Sequence, residues 1–169
     1  PADSCKLLVA PKGSDDSEHR IFHELPNLLE RGDLLVVNQT QVIPARVIGK
    51  KPTGGHVELL FERPLNGPIH TATRWRCMGR PGKALRPGKV ITLGEWELRV
   101  IGRDGMFAEL ECDRSIWPLL ESAGQMPLPP YIDREKGGEE SDLADYQSVF
   151  AKEPGAVAAP TASLHFTPD

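Results

Sequence analysis

Between residues 52 and 113 the chain has no room for a long element of any kind. Strand-like runs at 56–62, 71–79, 89–93, 96–102 and 106–112 alternate with turn chemistry. Pro52-Thr53-Gly54-Gly55 leads in, and Gly94-Glu95 and Arg103-Asp104-Gly105 separate the later runs. Short strands at regular intervals specify a small antiparallel barrel or sandwich. In residues 71–79, Trp75 and Cys77 fall on one face and Arg74, Arg76 and Met78 on the other, as a half-buried strand requires. Residues 56–62 alternate less cleanly.

The flanks read differently. Residues 6–10 and 19–25 are strand-like, and residues 26–31 suggest a helical turn or two ended by Gly32. The continuous LLVV within residues 33–38 predicts a strand buried on both faces. Residues 42–50 form a strand interrupted by Pro44, which cannot donate to a sheet ladder. A helix is expected over 115–122, with Pro118 near its start and Gly124 at its end. Residues 125–132 are proline-rich and stiff. A helix starting at Ser141 or Asp142 and running to about Ala151 would place Tyr146 and Phe150 on one core face. The fold class is therefore mixed α and β with two domains. Residues 1–51 and 114–169 form a discontinuous, partial α/β body, and residues 52–113 an inserted antiparallel β-barrel-like domain.

Composition narrows the function classes. With 39% hydrophobic and 26% charged residues the chain reads as a soluble globular protein. No apolar run reaches transmembrane length, so no membrane partner is expected. Cys5, Cys77 and Cys112 are widely spaced, which excludes a disulfide framework and fits a reducing cytoplasm. No metal-ligand spacing appears, so no metal is expected. The net charge of −4 conceals an uneven distribution. Arg63, Arg74, Arg76, Arg80, Lys83, Arg86 and Lys89 lie in a stretch without a single acidic residue, whereas residues 133–153 are predominantly acidic. The basic block is a candidate nucleic-acid face or a solvated basic loop.

Chemistry-bearing side chains concentrate elsewhere. Residues 154–166 read PGAVAAPTASLHF, with neither helical nor strand periodicity over their length. If extended, this stretch projects Thr161, Ser163 and His165 to one side. That gives a polar row beside small alanines, which is either a ligand site or a tight packing contact. His165 is the candidate general base, or a hydrogen-bonded structural histidine. Asn38 and Thr40 sit where a strand opens into a loop; they are candidate ligand holders, or a turn-capping amide and a solvent-facing hydroxyl. Arg46, in an apolar stretch, needs a carboxylate, a phosphate or solvent. Tyr131 can stack on a base or serve as hydrophobic cover.

Four separated stretches carry a family resemblance: residues 32–51 (GDLLVVNQTQVIPARVIGKK), 125–132 (QMPLPPYI), 146–151 (YQSVFA) and the closing 154–166. Together with DSCKLL at 3–8, and in this order, they resemble the S-adenosylmethionine:tRNA ribosyltransferase-isomerase family of queuosine biosynthesis. The resemblance implies transfer and isomerisation of the ribosyl group of S-adenosylmethionine onto 7-aminomethyl-7-deazaguanine at the wobble position of tRNA. The product would be epoxyqueuosine-tRNA, with adenine and methionine released. S-adenosylmethionine would be the co-substrate, tRNA the partner and the cytoplasm the location, with a monomer favoured. Within that frame Asn38, Thr40, Thr161 and Ser163 would hold the cofactor, and His165 would be catalytic. Arg46, Tyr131, Arg74, Arg76, Arg80, Lys83, Arg86 and Lys89 would meet substrate or tRNA. Ser163 stands where many relatives are expected to carry glycine, which would strain a serine at positive φ. Against that family the chain reads as an N-terminal half, expected to be inactive alone. A non-catalytic RNA-binding β module is the competing expectation.

Overall fold

The structure, a computed structural model, describes residues 2–50, 54–128 and 146–168. Its centre is a closed barrel of six antiparallel strands in the order β4-β5-β6-β9-β8-β7. These are β4 (Arg46–Lys50), β5 (His56–Pro64), β6 (Arg74–Arg80), β7 (Val90–Leu93), β8 (Trp96–Asp104) and β9 (Phe107–Glu111). Among the described residues four further strands precede or follow it: β1 (Lys6–Val9), β2 (Glu18–Ile21) and β3 (Thr40–Val42) before, with β10 (Glu153–Ala156) after. Among the described residues one α-helix, α1 (Trp117–Ala123), follows β9. The barrel thus includes β4, which the sequence reading grouped with the body.

Closure follows from alternation. Val57, Leu59, Phe61, Trp75, Cys77, Leu98, Val100, Ala108 and Leu110 all point inward and are fully buried. Phe61 and Trp75 meet edge to face at 6.0 Å, an arrangement aromatic quadrupoles favour. Two tight hairpins close β7–β8 and β8–β9. Leu93 pairs with Trp96 and Asp104 with Phe107, so each loop has two residues. The first of each is a glycine at positive φ, Gly94 at 59° and Gly105 at 58°, as such turns demand. Burial pushes the Cys77 thiol up to about 12, so it behaves as an inert core group.

Outside the barrel the sequence expectations divide. β1 and β2 pair antiparallel, and α1 ends at Gly124 as expected. The strand expected at 42–50 is broken at Pro44 into β3 and β4. Residues 22–25, expected as strand, belong instead to a 3-10 helix spanning Phe22–Leu28. Residues 33–38 are not a buried strand: they form no regular element, and Leu34 and Val36 are 87% and 83% exposed. Residues 146–151 are turn and irregular chain, not helix. Tyr146 is nevertheless buried, while Phe150 lies edge-on to Phe166 at 5.1 Å.

A second, smaller core sits beside the barrel, built from Val42, Met126, Tyr146 and Ala159, with Leu128, Ala156 and Leu164 packed against it. Its sheet is the parallel pair β3–β10. On Val42 the Gln147 side chain does the work of a neighbouring strand. Its Oε1 accepts from the Val42 N–H at 2.9 Å, and its Nε2 donates to the Val42 carbonyl at 2.7 Å. Val42 is only 3% exposed, so removing that amide strands two buried backbone groups. Gln147→Ala is expected to cost about 2 kcal/mol, read as a lower denaturation midpoint with an unchanged slope. Gln147→Glu should rescue little, because it lacks the donor.

Candidate functional site

Where the second core meets the barrel wall there is a cleft of about 640 Å³. That volume is within the range of small-molecule sites. Its barrel side comes from β4, β5 and β6 and the β8–β9 turn: Arg46, Glu58, Leu60, Met78, Arg80 and Met106. Pro127, Leu128, Tyr146, Val157 and Ala158 form the facing side. One wall is apolar (Leu60, Met78, Met106), and the charged groups stand around it. The outward-facing Leu60 explains why residues 56–62 alternate poorly by residue type although their burial alternates. That irregularity was the sequence signal for a wall residue, while Glu58 and Met106 gave none.

Arg46 is held from two directions. Its Nε donates to Glu58 Oε1 at 2.8 Å, and its backbone exchanges two hydrogen bonds with Gln125, at 3.1 and 2.7 Å. The carboxylate expected near this arginine is therefore Glu58, on the neighbouring strand. The Gln125 bridge follows directly on Gly124, where a Cβ would collide with the carbonyl oxygens of Pro44 and Leu120. Glycine is what lets the end of α1 reach the break before β4.

The basic block separates into two groups. Pairing of β6 with β9 sets Arg74 opposite Glu111 and Arg76 opposite Glu109. Arg74 lies 3.5 Å from Glu109 and 4.0 Å from Glu111. Arg76 is 3.1 Å from Glu62, and its guanidinium lies 3.6 Å over the Phe107 ring. Their charges are already matched within the barrel wall. Arg80, Lys83, Arg86 and Lys89 are exposed, and among the described residues none of them forms an ion pair. Three of the four ride on the loop from β6 to β7. Buried Ala84 and Leu85 anchor that loop, and Arg103 donates to the Gly82 carbonyl at 2.8 Å.

The expected polar row is corrected. Thr161–His165 is a 3-10 helix entered from Pro160, so Thr161, Ser163 and His165 do not alternate along a strand. In a 3-10 turn, residues three apart share a face instead. Proline fixes the entry, and the following small residues let the chain tighten into i to i+3 bonds. The Ser163 N–H donates to the Pro160 carbonyl at 2.8 Å. Thr161 is exposed, Ser163 is buried and His165 lies between. No non-glycine residue has positive φ among the described residues, so Ser163 carries no backbone strain. His165 Nδ1 is 3.1 Å from the Ala2 carbonyl, a contact that requires the proton on Nδ1 and leaves the lone pair on Nε2. The imidazole also packs on Phe22, with ring centroids 5.5 Å apart.

Asn38 caps its own loop, its Oδ1 accepting from the Thr40 N–H at 2.7 Å. Thr40 opens β3. Of the residues singled out in the sequence, Arg46 and Arg80 line the cleft, whereas Asn38, Thr40, Thr161, Ser163 and His165 do not. Val157 and Ala158 do line it, just ahead of the Thr161–His165 turn. Tyr131 lies outside the described residues.

Comparison with known proteins bears on what such a site serves. A family model described as queuosine biosynthesis protein matches residues 1–169. A protein of Anaeromyxobacter sp. (strain K), named S-adenosylmethionine:tRNA ribosyltransferase-isomerase, is 48% identical over 99% of this chain and 48% of its own length. A protein of the same name from Rubrobacter xylanophilus is 44% identical over 99% of this chain and 47% of its own. A solved structure of S-adenosylmethionine tRNA ribosyltransferase from Thermotoga maritima is 30% identical, with a TM-score of 0.43, and the match covers 75% of this chain and 43% of that one. The chain spans about half the length of the curated relatives it matches. Matched from its first residue to its last, it belongs to the queuosine biosynthesis protein family.

Proposed function

We propose that this chain supplies the barrel and cleft of an enzyme that modifies tRNA with the ribosyl group of S-adenosylmethionine. The acceptor is 7-aminomethyl-7-deazaguanine at the wobble position, the product epoxyqueuosine-tRNA, and adenine and methionine depart. The reaction is cytoplasmic. The family match over the whole chain carries this reading. No helix among the described residues is long and apolar enough to cross a membrane.

The cleft suits such a ligand in volume and in donor set. Leu60, Met78 and Met106 offer a flat apolar wall for a base, and Glu58 accepts from hydroxyl or amine donors. Arg80, in no ion pair among the described residues, binds a carboxylate or a phosphate, and Arg46 does so by exchanging its bond to Glu58. Asn38, Thr40, Thr161 and Ser163, which stand outside the cleft lining, hold ribose and adenine where the ligand extends beyond it, and Tyr131 covers a base. S-adenosylmethionine brings a sulfonium that acidifies the neighbouring ribose carbon. His165, which stands outside the cleft lining with its Nε2 as acceptor, is the base we assign to that proton. The cleft walls keep water from the sugar while the tRNA amine attacks.

The unpaired cations lay the tRNA backbone along the barrel, because phosphate contacts set affinity and register without reading sequence. A fourfold replacement of Arg80, Lys83, Arg86 and Lys89 by alanine is expected to weaken tRNA binding about tenfold to 100-fold. It should also flatten the salt dependence by roughly three contacts. Arg74→Ala with Arg76→Ala should change affinity only about twofold, since those charges are already matched by glutamates. Equal losses in the two variants would refute the assignment of the tRNA face.

A second reading, a non-catalytic RNA-binding module, draws on the same cations, which all stand on a closed barrel with its own core. Calorimetric titration with S-adenosylmethionine separates the two for this chain. Salt-sensitive tRNA binding without uptake of S-adenosylmethionine would favour the module.

A further inference from the structure

On the cleft wall the described charges do not balance. β4, β5 and β6 lie side by side there, and their outward residues form two rows. Arg46 is paired with Leu60 and Leu60 with Met78; two residues along, Ile48 is paired with Glu58 and Glu58 with Arg80. The second row thus sets an acid directly opposite a base. Side chains so placed stand about 5 Å apart at Cβ, close enough to pair. Glu58 nevertheless turns diagonally to Arg46, whose Nε donates to its Oε1 at 2.8 Å. Arg80 is in no ion pair among the described residues, and Glu58 Oε2 has no hydrogen-bond partner among them. Of the described lining residues only these three are charged. The wall therefore keeps one uncompensated guanidinium beside one available carboxylate oxygen, next to Leu60 and Met78.

Such a set disfavours a ligand of one sign. A phosphate drawn to the arginines also meets Glu58, and a plain cation drawn to Glu58 also meets Arg80; like charges brought together cost affinity. A ligand with both charges on neighbouring atoms satisfies both groups. We infer that Glu58 and Arg80 together receive an α-amino-acid zwitterion, the methionyl end of S-adenosylmethionine. Its carboxylate takes the Arg80 fork, and its ammonium donates to Glu58 Oε2. Arg46 keeps its bond to Glu58 and so holds that acceptor in place. Along β5 and β6 the next outward residues, Leu60 and Met78, come about 7 Å on. An arm running along the wall sets its sulfonium beside the polarizable Met78 thioether and leaves Met106 for a base. The inference rests on the reading of the cleft proposed above and divides its roles: Arg80 rather than Arg46 takes the carboxylate, and Lys83, Arg86 and Lys89 remain for tRNA phosphates.

Calorimetric titration of this chain with three adenosyl ligands tests it. S-adenosylmethionine carries both charges, decarboxylated S-adenosylmethionine lacks the carboxylate, and methylthioadenosine lacks the whole amino-acid end. S-adenosylmethionine should bind at least about tenfold more tightly than either, the worth of one hydrogen bond to a charged group. Arg80→Met should abolish the preference over the decarboxylated ligand without weakening that ligand. Glu58→Gln should weaken both amine-bearing ligands about tenfold and leave methylthioadenosine within about twofold. Methylthioadenosine binding as tightly as S-adenosylmethionine would overturn the inference and leave the cleft as a nucleoside site. A preference for S-adenosylmethionine that survives both substitutions would overturn it too. Binding of none of the three would overturn the inference together with the reading of the cleft on which it rests.

Discussion

In a full-length enzyme built with this stretch, His165→Ala is expected to lower turnover about 100-fold or more, the usual loss when a positioned general base is removed. The expectation comes from the imidazole's setting. The Ala2 carbonyl, 3.1 Å from Nδ1, takes the ring's proton on that nitrogen and leaves Nε2 as the basic atom. The Thr161–His165 turn and the Phe22 ring restrict where Nε2 can point. A histidine that merely anchored the chain's start to its closing turn would behave otherwise. Its loss would lower the melting temperature by a few degrees and spare turnover in the protein that stays folded. Measuring kcat and Tm together separates these cases. Normal kcat with a lowered Tm would remove His165 from the chemistry. His165→Gln, which keeps a donor for the Ala2 carbonyl, should restore Tm without restoring kcat.

The second large effect is structural. Gly124→Ala is expected to cost about 3 kcal/mol, the upper range for forced overpacking. For a chain of this size that corresponds to a fall in Tm of roughly 6–12 °C. Its new methyl would run into two backbone carbonyls, Pro44 and Leu120, and neither belongs to a flexible side chain. Relief requires α1 to withdraw from the break before β4. That in turn strains the paired hydrogen bonds between Gln125 and the cleft-lining Arg46. Thermal denaturation gives the cost. A Tm within about 2 °C of the parent would show that the α1 end yields easily and that the junction is soft.

What the sequence revealed follows from how local the determining forces are. The barrel strands were legible because glycine turns and inward-facing Trp75, Cys77, Leu98 and Leu110 act within a few residues of one another. Gly94 and Gly105 announce their hairpins without help from the rest of the chain. Residues 33–38 read as a buried strand from the same rules, yet Leu34 and Val36 are left 87% and 83% exposed. Burial is a property of partners, and Leu34 carries no mark of whether its partner is present. The closing segment misled in another way. Thr161, Ser163 and His165 alternate on paper, but Pro160 and the alanines set a 3-10 turn that overrides the strand period. Gln147 was invisible as a stand-in for a strand, because its partner Val42 lies 105 positions away. The cleft was half legible. Arg46 and Arg80 stood out as cations in conspicuous places, whereas Glu58 and Met106 look like ordinary surface residues until the barrel wall curves them together.

The central claim is that ligand meets this chain in the cleft between barrel wall and second core. The three methionines are well placed to report on it. Met78 and Met106 line the cleft, whereas Met126 is 3% exposed within the second core. The chain should be labelled with carbon-13 at its methionine methyls and titrated with an anticodon stem-loop carrying 7-aminomethyl-7-deazaguanine at the wobble position. The Met78 and Met106 signals should move together and saturate while Met126 holds still. A titration that saturates with Met78 and Met106 unmoved, or with Met126 moving alone, would place binding elsewhere and contradict the account.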